Sequence, residues 1–267
     1  MSRPDWSGAG SDRVLNLRQA QLSGAYLVGA RLVGAQMEGA NLFGAQLEGA
    51  NLFGAQVEGA NFSFAQMEGA DLNGAQMEGA VLVAARMEGA NLLGAQMKGA
   101  NLIGAQMENV DLRSAEMEAA NLLGAQMKGA DLSFSRFFGS ADRMIGLITT
   151  NLNAVTNNGG ALRFVVLTGA AWDEQTDFRN VFLDGTVTMT PAFRTRMGHP
   201  CQWITHTLDD TEFLSLWRWW AERITGFLSF LPDKIQNAPL PTEARLEELG
   251  LTDCQPNQPF GPMPDAN

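Results

Sequence analysis

The chain has 267 residues, 45% of them hydrophobic, and a formal net charge of −11. That composition suits a globular protein and, by sign, disfavours direct nucleic-acid binding. No uncharged apolar run approaches the ~18 residues of a membrane span, and Met1–Gly8 holds no apolar stretch of the kind a signal peptide needs.

Residues 1–13 read as a flexible N-terminus. From Leu17 to Phe137 a large apolar residue then recurs every five positions, at Leu17, Leu22, Leu27, Leu32, Met37, Leu42 and onward, 25 centres in all. The residue two before each centre is Ala from Ala20 to Ala130, with Val110 the exception. The unit reads A-[N/D/Q]-[L/M]-x-G, as in Ala40-Asn41-Leu42-Phe43-Gly44. A period of five fits neither a helix at 3.6 residues per turn nor a strand at 2, so the chain must turn once per unit. The solution expected is a solenoid with a square cross-section. Each unit makes one side, Ala and the centre point inward, and Gly allows the tight turn. Four units close one coil, and about six coils at roughly 4.8 Å give a rod roughly 30 Å long with a filled interior.

Runs of A-[N/D]-L-x-x over nearly half the chain resemble the pentapeptide-repeat family. The resemblance implies an all-β solenoid, a right-handed quadrilateral β-helix. It also implies pairing through C-terminal elements in some members, and, in others, acidic dimeric rods that mimic DNA and act on gyrase.

Outside the rod a ten-residue alternation of A-Q-M-E-G and A-N-L-x-G gives opposite sides the same character. One side stacks Glu38, Glu58, Glu78, Lys98 and Glu118, and the opposite one Glu48, Glu68, Glu88, Glu108 and Lys128. The other pair presents Phe43, Ser63, Val83, Ile103 and Leu123, and Val33, Phe53, Asn73, Leu93, Arg113 and Ser133. Like charges one coil apart repel by about 1 kcal/mol in bulk water, and Lys98 and Lys128 can pair with the glutamates above and below. Two such rows carry about one charge per 2.4 Å of axis against ~1.7 Å for duplex DNA. They suit either a solvated face or a DNA mimic. The strip Phe43, Val83, Ile103 and Leu123 suits a partner or a second copy.

The rod is expected to span 14–188: regular over 15–139, irregular over 140–175, with an insertion or an irregular coil over 138–160, and resuming over 176–188, where Phe178, Leu183 and Thr188 restore the period. Phe137 to Phe178 is 41 residues, one more than two coils, so one bulged residue is expected. Residues 189–251 read as a helical cap. Asp209-Asp210-Thr211-Glu212 is a capping-box signature, and Phe213, Leu216, Trp217, Trp220, Ile224 and Phe227 follow at helical spacing. A short helix is expected over Glu243–Leu249, with Thr242 as N-cap, and the Pro-rich 252–267 as a disordered tail. The long helix is read as a cap, with dimerisation or a peripheral membrane contact through Trp217, Trp219, Arg218 and Arg223 as alternatives.

Cys201 and Cys254 are far apart, which argues against a disulfide scaffold and makes a reducing cytoplasm the default. His199, Cys201 and His206 match no established metal-site spacing, and no Gly-rich phosphate loop is followed by Lys. An active site needs unlike residues converging at one place, which this repetition does not supply. The expectation is a non-enzymatic interaction protein with no cofactor, no metal and a protein partner, which includes a second copy. A DNA-mimicking gyrase modulator and a membrane-associated scaffold are the competing readings.

Overall fold

The structure is a computed structural model that describes residues 14–139, 145–147, 150–157, 160–178, 180–197, 204, 206–223 and 233–254. Residues 1–13, Cys201, His199, Ile224, Phe227 and the tail from 255 lie outside these.

The five-residue unit folds as one side and one turn. In each regular unit the Ala N–H bonds back to the preceding centre's carbonyl, as in Ala45 N to Leu42 O at 3.0 Å. The residue before that Ala has a positive φ, 63° at Gly44 and 65° at Gly94. A hydrogen-bonded four-residue turn with positive φ at its third position is the type II turn, which favours Gly there. In the Asn and Asp units the side-chain oxygen also accepts from the residue two on, as in Phe43 N to Asn41 Oδ1 at 3.2 Å and Ser133 N to Asp131 Oδ1 at 2.9 Å. This is why short polar residues alternate with Gln around the coil.

Successive coils pair in parallel at a 20-residue step, beginning with Asn16↔Gln36 and Gln21↔Asn41. The sides are numbered here in chain order from Leu17, Leu22, Leu27 and Leu32. On side one, nine levels run from Asn16 to Phe182 among the described residues. Inside, Ala, Leu and Met stack into one core from Leu27 to Phe193, with Leu42, Met77, Leu82 and Met97 at 0% exposure.

Beyond residue 135 short strands form on sides one and two, while single bridges continue on the other two. β1 (Arg136–Phe138), β3 (Ala161–Arg163) and β5 (Phe182–Leu183) form one parallel sheet. β2 (Ile145–Gly146) and β4 (Val165–Val166) form another. Of the two alternatives expected over 138–160, the pairing supports an insertion rather than an irregular coil. Gln126↔Asn151, Asp131↔Thr156 and Arg136↔Ala161 all pair at a 25-residue step. Five residues are therefore inserted between Phe138 and Ile145, and coiling then resumes at once. An insertion of five preserves the phase, so it is invisible to a period count. Phe137 and Phe178 also lie on different sides. The bulge inferred from their spacing instead falls between Ala171 and Asp177, as the 21-residue step Thr156↔Asp177 shows.

α1 (Pro191–Met197) follows, and Phe193 inserts into the solenoid core, 5.6 Å from Trp172 and 5.7 Å from Phe178, both edge-on. α2 (Asp210–Arg223) lies across side one of the last coils. There Phe213 and Trp217 meet Phe138, Phe213 meets Phe182, and Trp220 donates to the Asn180 carbonyl at 2.9 Å. Arg163 ties the start of α2 down through Asp184, Asp210 and the Leu208 carbonyl. α3 (Asp233–Gln236) and α4 (Glu243–Glu248) complete the helical region. Leu251 and Cys254 are buried with them, so packed structure extends past the expected start of the tail. Cys254 is disulfide-bonded, although the separation of the two cysteines argued against a disulfide scaffold. Sequence separation does not limit a disulfide; distance in the fold does.

Candidate interaction surface

The turn geometry decides which side chains face outward and where. The residue after each centre is the second residue of the turn, so the rows read from the sequence run along the four corners rather than along the sides. Glu38, Glu58, Glu78 and Glu118 follow the corner between sides one and two, and Glu48, Glu68, Glu88 and Glu108 the diagonally opposite corner. Phe43, Val83, Ile103 and Leu123 follow the corner between sides two and three. Val33, Phe53 and Leu93 occupy the fourth, interrupted by Asn73 and by Arg113 paired to Asp111 at 2.6 Å.

The acidic rows are half-buried, lying against the rod. One carboxylate oxygen of each of Glu48, Glu58, Glu68, Glu78, Glu88, Glu108 and Glu118 has no hydrogen-bond donor. Lys98 and Lys128 form no ion pair among the described residues. Arginines do instead: Arg18 chelates Glu38 at 2.8–3.0 Å and Arg86 meets Glu68 at 2.7 Å. The Arg18 hydrogen bonds hold the Glu38 carboxyl below its usual range. Burial pushes Glu118 above it, although Arg136 stands 3.4 Å away.

On the apolar corner Phe43 is 47% and Leu123 43% exposed, with Val83 and Ile103 half-buried between them. Ser63 interrupts this row in the sequence. In the structure it is buried, its hydroxyl on Asn61 Oδ1 at 2.7 Å, and its neighbour Phe64 takes the place. Phe64 is 54% exposed and its ring lies 5.4 Å from that of Phe43. It occupies a glycine slot at φ 60°. Reading the row by its fixed position missed Phe64; an aromatic in the glycine slot was the available signal.

The helix residues are placed differently. Phe213, Leu216, Trp217 and Trp220 are at most 1% exposed and Trp219 is 4% exposed, all packed against the chain's own rod and helices. These rings present nothing to a membrane or a second copy. Ile224 and Phe227 lie outside the described residues. A cavity of about 170 Å³ opens beside Asp184, Arg194 and Ile204. The Asp184 carboxylate there is already filled by Thr186 N, Leu208 N and Arg163. Among the described residues no three His, Cys, Asp or Glu side chains converge, and no helix is long and apolar enough to cross a membrane.

The profile described as pentapeptide repeats matches in 8 copies, over overlapping segments from 16–52 to 95–133. No curated protein matches the chain. A pentapeptide repeat protein of the Arabidopsis thaliana thylakoid lumen is 34% identical over 40% of this chain and 78% of its own, with a TM-score of 0.37. HetL, involved in heterocyst differentiation regulation in the cyanobacterium Nostoc sp. strain PCC 7120, is 23% identical over 75% of this chain and 89% of its own, with a TM-score of 0.30. QnrB1, a plasmid-mediated fluoroquinolone resistance protein, is 17% identical over 80% of this chain and 98% of its own, with a TM-score of 0.47. With its five-residue turns, 20-residue pairing step and Ala-Leu-Met interior, the chain belongs to the pentapeptide-repeat family.

Proposed function

We propose that this chain is a non-enzymatic interaction scaffold. Its right-handed quadrilateral β-helix displays side-chain rows to a protein partner, and its C-terminal helices close and brace the last coils. The observation that carries this reading is the exposed apolar corner, where Phe43, Phe64 and Leu123 stand out with Val83 and Ile103 between them, a longer run than Val33 and Phe53 make on the diagonal corner. The chain spends no apolar burial on these side chains, so a partner gains by covering them. The test is affinity capture by the intact chain, by a Val83→Ser/Ile103→Ser/Leu123→Ser variant and by a Glu48→Gln/Glu68→Gln/Glu88→Gln variant. A partner lost with the first variant and kept by the second is expected. Partners that survive both would remove function from both rows.

Two diagonally opposite acidic corners favour a second reading, an acidic DNA mimic acting on gyrase. Arg18, Arg86, Lys98 and Lys128 dilute the rows and weigh against it. It requires a dimer and a salt-sensitive effect on supercoiling by purified gyrase, and an inert chain at stoichiometric excess would sink it.

The compartment is proposed as oxidising rather than cytoplasmic, because a disulfide at Cys254 persists where glutathione does not reduce it. Alkylation of the protein unfolded in urea should label Cys254 only after reduction, the unfolding being needed because Cys254 is buried. Labelling without reductant returns the chain to the cytoplasm.

A further inference from the structure

The apolar corner is not only exposed but framed. Moving outward from Phe43 and Phe64, each adjoining side presents mainly uncharged Asn or Gln, with Arg86 the exception, and then an acidic corner: Glu58 and Glu78 one way, Glu48 and Glu88 the other. Among the described residues these four carboxylates form no ion pair, and each keeps one oxygen without a hydrogen-bond donor. An apolar ridge between two acidic edges specifies its complement, an apolar stripe between two basic edges.

Spacing selects the form of that complement. The ridge advances one coil, roughly 4.8 Å, per side chain. An extended strand offers one side chain to a face every ~6.6 Å and drifts by about 7 Å, more than a whole coil, over the four coil steps from Phe43 to Leu123. A helix offers one every ~5.4 Å and drifts by about 2.4 Å over the same steps, which the long side chains on both surfaces can span. That span of about 19 Å corresponds to a helix of roughly 13 residues. A second copy would match the ridge in spacing. Yet docking corner on corner, in either direction, sets acidic rows beside acidic rows, and like charges juxtaposed across an interface are destabilising.

Phe64 points the same way. An aromatic at φ 60° carries the left-handed strain that glycine avoids at the equivalent corners. At 54% exposure, Phe64 recovers little of that cost by burial.

We propose that the corner from Phe43 to Leu123 receives an amphipathic helix of a partner protein, its apolar stripe on Phe43, Phe64, Val83 and Leu123 and its flanking Lys or Arg on the two glutamate rows. This rests on the scaffold reading above and names the partner's chemistry. The probe is a fluorescein-labelled 14-residue Leu/Lys peptide patterned for one apolar helical face, compared with a peptide of the same composition in permuted order. Anisotropy titrations use the full chain, the variants Phe43→Ser/Phe64→Gly and Phe53→Ser, and two salt concentrations. The patterned peptide should bind at least about ten-fold more tightly than the permuted one and weaken with salt. It should lose about ten-fold or more with Phe43→Ser/Phe64→Gly while Phe53→Ser leaves it unchanged. Phe64→Gly alone should weaken binding while raising the melting temperature, which separates lost contact from lost fold.

Equal binding of the two peptides, or full binding by the double variant, overturns the proposal. So does a wild-type dimer in sedimentation that the double variant dissolves, since the corner would then belong to a second copy. If partner capture still depends on this corner while the peptide fails, only the helix is wrong; if capture is also indifferent, the scaffold reading falls with it.

Discussion

Single residues carry two different loads in this fold. At the centres, Leu, Met and Phe are interchangeable fillers; at the corners, backbone conformation decides. Phe64 sits at φ 60° with an exposed ring, so Phe64→Gly should raise stability by about 1 kcal/mol, read from urea midpoints; destabilisation would mean that the Phe43 contact outweighs the strain. Glu118 is the other informative residue. Burial lifts its carboxyl in the folded state above the unfolded value. Its contribution to stability is therefore fully present below the ordinary glutamate pKa and is lost as pH rises through the raised value. Glu118→Gln should gain stability relative to the parent over that rise, and parallel melting curves across pH 4–7 would refute the assignment. The inward residues were legible because a five-residue period leaves them one role. Phe64 was not, because its slot was read as a turn position and never as a surface.

Elements in this molecule are coils, each stabilised by the one above and below it. Leu82 is fully buried, and its backbone N–H reaches Asn101 O at 2.7 Å. Leu82→Ala removes three carbons from a close-packed stack and should cost roughly 2–5 kcal/mol by chemical denaturation. A cost under about 1 kcal/mol would mean that the neighbouring Met side chains collapse into the gap. The helices show what a sequence withholds. The amphipathic pattern of α2 and its N-terminal capping signal are plain from Asp209 to Trp220, and Asp209 does accept from Glu212 N at 2.8 Å. Its docking place was not legible. An amphipathic helix after a solenoid suggests a cap on the open end, yet α2 lies over side one, while Phe193 of the seven-residue α1 enters the core. Seven residues are too few for a helical period to show, and the docking of α2 depends on Phe138 and Phe182, which look like ordinary repeat positions until the 25-residue step is known.

At the scale of the whole molecule, regularity turns single side chains into rows. The fold follows from the period, and the alternation of Gln and Asn units places charge on two diagonal corners and apolar surface on the others. Ion pairing was only partly legible: Arg18 extends the Glu38 row one coil earlier, in the slot that Lys98 occupies, whereas Arg86 sits one position before its centre and so outside the rows. The net charge of −11 opposes close approach of two rods and favours a basic partner. In the proposed scaffold the apolar corner, and not the acidic rows alone, holds that partner. The direct measurement is the captured partner's affinity for the intact chain and for its Val83→Ser/Ile103→Ser/Leu123→Ser and Glu48→Gln/Glu68→Gln/Glu88→Gln variants, each with its melting temperature recorded. A ten-fold or greater loss for the serine variant, with a smaller salt-dependent loss for the glutamine variant, is the predicted result at about 1.4 kcal/mol per decade. Unchanged affinity for the serine variant would contradict it.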